Sequence, residues 1–130
     1  MMMTDARAAY MDASVATADP SRLLVMLCDR LVLDVQRTLG AQVAGHHETA
    51  HHQLVHAQAI VTELRVSLDP DGFQGGAELA ALYDYLYQQL VLANIRRDSA
   101  VTEECLQIVT QVADTWREAA LSLTRTAVPA

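Results

Sequence analysis

The sequence predicts an all-α protein, an antiparallel up-down four-helix bundle with a short extra N-terminal helix or cap segment, and three observations lead there. Apolar residues recur at spacings of three and four along four long stretches. Turn signals separate those stretches at Asp19-Pro20, at Gly40 to Gly45, at Asp69-Pro70-Asp71-Gly72 to Gly75-Gly76, and at Asp98-Ser99. The connections are short, which makes sequential helices run in opposite directions. No stretch shows the strict alternation of a half-buried strand.

Residues 1–18 carry Ala6, Ala8, Ala9, Tyr10, Met11, Ala13 and Val15, enough for a short amphipathic helix but too few to stabilise one alone. This cap segment is expected to dock or fray. Asp19 can then cap exposed N–H groups and Pro20 suits the first helical position. The first long helix runs from Pro20 to about Val43. Leu23, Leu24, Leu27, Leu31 and Val35 share one face, yet Val25, Met26, Val32 and Leu33 lie largely off it, so the helix needs deep burial or a partner.

The second helix, about Glu48 to Leu68, carries the cleanest seam in the chain: Leu54, Ala57, Val61, Leu64 and Leu68. The third, about Ala77 to Arg97, places Leu79, Leu82, Leu86, Leu90 and Ala93 on one stripe with Tyr83, Tyr87 and Val91 beside it. Tyr83, Tyr85 and Tyr87 spread over different faces, so at least one is partly exposed, either at the edge of the core or as a recognition surface. The fourth, about Ala100 to Thr124, uses Val101, Cys105, Ile108, Val112, Thr115 and Ala119, flanked by Val109, Trp116 and Leu123. The expected organisation is a cap segment over 1–18, a bundle over 19–124 and a flexible tail over 125–130.

Composition narrows the function. Of 130 residues, 52% are apolar and 19% charged, which excludes disorder as the dominant state. The net charge is −7 and the longest basic run is Arg96-Arg97, so no stripe tracks a phosphate backbone and nucleic acid is not an expected partner. The same charge disfavours anionic membranes. No uncharged apolar run approaches the roughly 18 residues of a spanning helix, so no membrane insertion is expected. The start lacks a basic region followed by an apolar run, which points to the cytoplasm. Cys28 and Cys105 fall at or beside apolar positions, as small core side chains do.

Catalytic motifs fail on inspection. His47-Glu48-Thr49-Ala50-His51 matches H-E-x-x-H, whose two histidines bind zinc while the glutamate polarises water. The extended pattern fails, with Leu54 where its glycine belongs and Ala57 where its third histidine belongs. Neither Glu63 nor Glu78 has a motif around it. The match sits inside a dense cluster, His46, His47, His51, His52 and His56, which reads as a polar helix start able to take up a transition metal through His47/His51 or His52/His56. Glu48-x-x-His51 is half of a di-iron carboxylate pattern, and no other segment carries the second half. The glycines from Gly72 to Gly76 lack the lysine of a phosphate loop. No cofactor and no resident metal are expected.

Tyr10, then Val15-x-Thr17-Ala18-Asp19-Pro20, then Leu23-Leu24-x-Met26-Leu27, resembles the opening of the flagellin-specific flagellar export chaperone family, FliS. Further motifs follow in that family's order: Glu63-Leu64 before Ser67-Leu68-Asp69, Gly75-Gly76-x-Glu78-Leu79-Ala80, Leu82-Tyr83-Asp84-Tyr85, Leu90-x-x-Ala93-Asn94, and Glu103-Glu104 through Trp116. Cys28 stands where family members usually carry tyrosine, and the histidine cluster matches no family motif.

The resemblance implies a non-enzymatic cytosolic chaperone. Its client is the C-terminal segment of flagellin, disordered before assembly, kept from premature polymerisation and delivered to the flagellar export gate. Tyr10, Leu23, Leu24, Leu27, Tyr83, Tyr85, Leu90 and Asn94 are the candidate client-binding residues. A bundle with excess apolar surface suits a disordered client whose ordering costs about 2–5 kcal/mol. Residues 1–16 are expected to lie as a lid over the empty groove, and a free chain with an empty groove could pair as a homodimer. Two other readings stay open: a zinc hydrolase on His47, Glu48 and His51, and a helical adaptor for an unrelated protein.

Overall fold

The computed structural model describes residues 20–127, with side chains through Ser122. Tyr10, Asp19, the cap segment, the lid over 1–16 and the last residues of the tail lie outside the described residues. Four helices follow in order: α1 (Pro20–Val43), α2 (His47–Ser67), α3 (Gly76–Arg96) and α4 (Ser99–Ala127). Pro20 opens α1, and α4 continues past the expected end at Thr124. Each helix packs on two neighbours, α1 on α2 and α4, α3 on α2 and α4, and the backbones of the diagonal pairs stay apart. The result is a square bundle of antiparallel neighbours, with α3 and α4 the most loosely apposed pair.

Local chemistry fixes the corners. α1 ends in a Schellman turn: His46 N–H bonds the Ala41 carbonyl at 2.8 Å and Gly45 N–H bonds that of Gln42 at 3.1 Å, with Gly45 at φ 78°. α3 ends the same way, through Asp98 N–H to Ala93 at 3.2 Å and Arg97 N–H to Asn94 at 3.4 Å. Here Arg97 takes the left-handed conformation, at φ 52°. Asp98 then caps α4, its Oδ1 accepting from Ala100 N–H at 2.9 Å. Between α2 and α3, Asp69 closes a turn over Pro70 by accepting from Asp71 N–H at 3.1 Å, and its carbonyl accepts from Gly72 N–H at 3.1 Å.

One core joins all four helices. α2 contributes the expected seam, with Leu54, Ala57, Val61 and Leu64 buried and Leu68 packed at its edge. The other stripes are rotated from those the sequence predicts. On α1 the innermost residues are Leu23, Cys28, Leu31, Asp34, Val35, Thr38 and Ala41, while Leu24 and Leu27 sit half-buried. On α3 Tyr83 joins Leu86, Leu90 and Ala93 inside, and Leu79 and Leu82 move to the rim. On α4 Thr102, Cys105, Val109, Val112 and Ala113 are buried, whereas Thr115 and Ala119 face outward.

Two polar devices explain part of that rotation. Asp34 is fully buried, and its carboxylate accepts from Arg30 Nε at 3.1 Å and from the ring of His56 on α2. A buried carboxylate without such partners would be strongly destabilising, so the α1–α2 register is tied to this contact. At the end of the bundle that carries the α1–α2 and α3–α4 turns, the Gln42 amide reaches across. Its Nε2 donates to the Ala93 carbonyl at 3.4 Å and its Oε1 accepts from Thr102 Oγ1 at 2.7 Å. Gln42 thereby links α1 to both α3 and α4.

Gly76 supplies a sharp test of how closely the α2–α3 loop folds back. A Cβ at this position would lie 2.3 Å from the Pro70 carbonyl oxygen. Alanine is favoured over glycine within helices by up to about 1 kcal/mol, yet Gly76→Ala is expected to lower stability by about 1–3 kcal/mol through overpacking. Urea unfolding followed by circular dichroism measures the sign; an unchanged or raised midpoint would show that the loop yields.

Candidate functional site

Tyr83 is the largest fully buried side chain, and its hydroxyl needs a partner in the interior. Trp116 on α4 supplies one, donating Nε1–H to Tyr83 Oη at 3.0 Å. That bond stands the indole up between α3 and α4. Phe73, carried by the glycine-rich loop before α3, packs edge-on against it with ring centroids 6.3 Å apart.

Two apolar depressions meet at this aromatic pair. The larger, about 410 Å³, is walled by Phe73, Leu79, Leu82, Val112, Trp116 and Ala119, with Gln111 and Thr115 on its rim. The smaller, about 180 Å³, lies on the other side and is bounded by Leu24, Leu64, Leu68, Phe73, Tyr83 and Trp116. Phe73 is 45% exposed, an unusual state for the single phenylalanine of the chain. The larger depression is a groove along the most loosely packed helix pair, open to solvent and lined by apolar side chains.

The candidate binding residues read from the sequence are scattered by the fold. Leu23, Tyr83 and Leu90 are buried in the core. Leu24 and Tyr83 share the smaller depression, and Leu27 packs half-buried against the core. Tyr85 is exposed and donates its hydroxyl to Glu104 at 2.6 Å, tying α3 to α4 on the outside. Asn94 sits at the opposite end of α3, paired with His51 at 2.9 Å. Phe73 is the residue that sequence periodicity missed, because it lies in a loop. Its signal is a lone aromatic among glycines.

The histidines lie along α2. His47 and His51 line a cavity of about 400 Å³ of mixed character, with Gln42, Glu48, Asn94 and Arg97 beside Ala50 and Ile95. Among the described residues, no three histidine, cysteine, aspartate or glutamate side chains converge as a metal-binding group. The third ligand that an H-E-x-x-H hydrolase needs is therefore not brought to His47 and His51 by any described residue. No described helix is long and apolar enough to cross a membrane.

A four-helix bundle with an open apolar groove between two of its helices is the class of fold and surface that the described residues define. Comparison with known proteins makes the class specific. The family model described as "Flagellar protein FliS" matches residues 2–122, and the chain belongs to that family. It is 32% identical over 111 residues to the flagellar secretion chaperone FliS of Bacillus subtilis (strain 168), covering 85% of this chain and 83% of that one. Similarity to the Escherichia coli (strain K12) flagellar secretion chaperone FliS is 30% over 113 residues, with the same coverage. A crystal structure of a flagellar chaperone from bacteria superposes with a TM-score of 0.72 at 19% identity, over 92% of this chain and 98% of that one, which supports the fold. The family is one of flagellar secretion chaperones, not enzymes.

Burial governs the titration of the core beside the groove. Burial pushes the Cys28 and Cys105 thiols up from 9.0 to about 12, helped by the neighbouring Asp29 and Glu104 carboxylates respectively. It likewise raises the Tyr83 phenol from 10.0 to about 12, against the opposing hydrogen bond from Trp116. Each group gives up its proton first in the unfolded chain, so the unfolded state holds fewer protons above pH 9 and stability falls as pH climbs toward 12. Denaturation midpoints measured across that range are expected to decline. Thiol reagents at pH 8 should leave both cysteines of the native protein unlabelled while labelling both in guanidinium; rapid native labelling would contradict their burial.

Proposed function

We propose that this chain is a cytoplasmic export chaperone that binds the C-terminal segment of flagellin, keeps it from polymerising early and hands it to the flagellar export gate. The observation that carries this reading is the open apolar groove between α3 and α4, walled by Leu79, Leu82, Val112 and the Phe73–Trp116 pair. Family membership gives the groove its context.

The physics suits a client that orders as it binds. An amphipathic helix buries its apolar side in such a groove at positions three and four apart, and each fully buried leucine or valine contributes about 1.5–3 kcal/mol. A few such anchors offset the ordering cost of a disordered segment. The polar rim, Gln111 and Thr115, leaves the outer face of the client in water. A chaperone that must later release its cargo is served by a shallow groove rather than by an enclosed pocket.

Trp116 is the single tryptophan and part of the groove wall, so its emission reports occupancy directly. A peptide from the end of the cognate flagellin is expected to change that emission and to bind more tightly than about 10 µM. Leu82→Glu, which sets a charge in the apolar wall, should weaken binding by at least about tenfold while the helical content stays unchanged. Absence of binding at tens of micromolar would sink the assignment. Unaltered affinity in Leu82→Glu would move the client elsewhere on the bundle.

A further inference from the structure

Four histidines lie on α2, His47, His51, His52 and His56, and none of them lines the α3–α4 groove. His56 is held differently from the rest. Its Nδ1 bonds Oδ2 of Asp34, a fully buried carboxylate whose other oxygen accepts from Arg30 Nε at 3.1 Å. A carboxylate only accepts hydrogen bonds, so Nδ1 carries the proton of this contact and Nε2 of the neutral ring keeps a free lone pair. The imidazole is about half exposed, 51%, so it is anchored from the core and accessible from solvent. This carboxylate-to-histidine contact is the arrangement that orients metal-ligating imidazoles.

His52 lies one helical turn before His56. Side chains on a helix lean toward its N-terminus, which places the His56 ring over the turn that carries His52. The His52 side chain is 70% exposed, its ring edge-on to that of His51 at 5.6 Å and its Nε2 3.8 Å from the Glu48 carboxylate, and a rotamer change at this exposed side chain turns it toward His56. We infer that His52 and His56 chelate a borderline divalent transition cation, Cu²⁺, Ni²⁺ or Zn²⁺, with Asp34 orienting His56 and water completing the coordination. His47 and His51 share the same spacing but a poorer setting. His51 is held by the neutral amide of Asn94 rather than by a buried carboxylate.

Because the Asp34–His56 contact exists only when α1 packs on α2, the bound ion favours the folded state. This inference stands apart from flagellin binding and is tested without it. Protein purified without an affinity tag is titrated calorimetrically with Cu²⁺, Ni²⁺ and Zn²⁺, and the Cu²⁺ complex is read by electron paramagnetic resonance for two nitrogen ligands.

The expected result is one ion per chain, bound most tightly for Cu²⁺. His52→Ala should lose at least about tenfold in affinity. Asp34→Asn, with both ligands intact, should lose about 10–100-fold, and His51→Ala should stay within about twofold of wild type. His52 is exposed, so His52→Ala is expected to keep the fold and carries the test alone should Asp34→Asn fail to fold. Wild-type affinity in His52→Ala, a loss in His51→Ala as large as that in His52→Ala, or no saturable binding below ~1 mM would each overturn the inference.

Discussion

Burying a tyrosine obliges a bundle to bring its hydroxyl a partner, and in this chain that obligation shapes one whole end of the molecule. Trp116 meets it by donating to Tyr83 across the α3–α4 gap. The indole is partly buried there, between the core and solvent, on the most loosely apposed helix pair. Leu79 and Leu82, which a tighter pairing would cover, remain on the rim. Phe73 covers one edge of the indole, and the loop that carries it is held down where Gly76 passes the Pro70 carbonyl. Groove, aromatic wall and the close approach at Gly76 thus meet at one internal hydrogen bond.

The opposite end follows a different logic. There Gln42 ties α1 to the last turn of α3 and the first turn of α4, and Asn94 meets His51 across the α2–α3 seam. Along the α1–α2 seam, Asp34 makes the packing specific as well as favourable. Sliding or rotating α1 by one position would strand a carboxylate in an apolar layer, a penalty that several good aliphatic contacts would not offset. One end of the bundle is polar and cross-linked, and the other is aromatic and carries the open groove.

The helices were legible in the sequence because their punctuation is chemical. Pro20, the Gly45 turn, the Asp69-Pro70 turn and Asp98 each stand within a residue or two of an observed boundary. The α2 seam was equally plain, since leucine, alanine and valine recur there at steps of three and four, although Ile60 is buried beside it and Val55 and Val66 lie exposed off it. On α1, α3 and α4 apolar residues outnumber the buried places, and hydrophobicity alone did not rank them. Asp34, Thr38 and Thr102 are buried for reasons of hydrogen bonding that no apolar pattern encodes. Tyr83 and Tyr85 are two positions apart with opposite fates, one partnered inside by Trp116 and the other outside by Glu104. Phe73 became visible as part of the site only once the loop was folded back.

The tight turn at Arg97-Asp98 gives the groove a mechanical property. It pins α3 to α4 at one end, while Leu79 and Leu82 lie at the other, beyond a lever of about 20 Å set by the helical rise. The pair is built like tweezers with a stiff pivot and open jaws. The Tyr83–Trp116 and Tyr85–Glu104 hydrogen bonds span the pair between pivot and jaws, so widening the jaws has to break the first of them and shift α3 or α4 against α2 or α1.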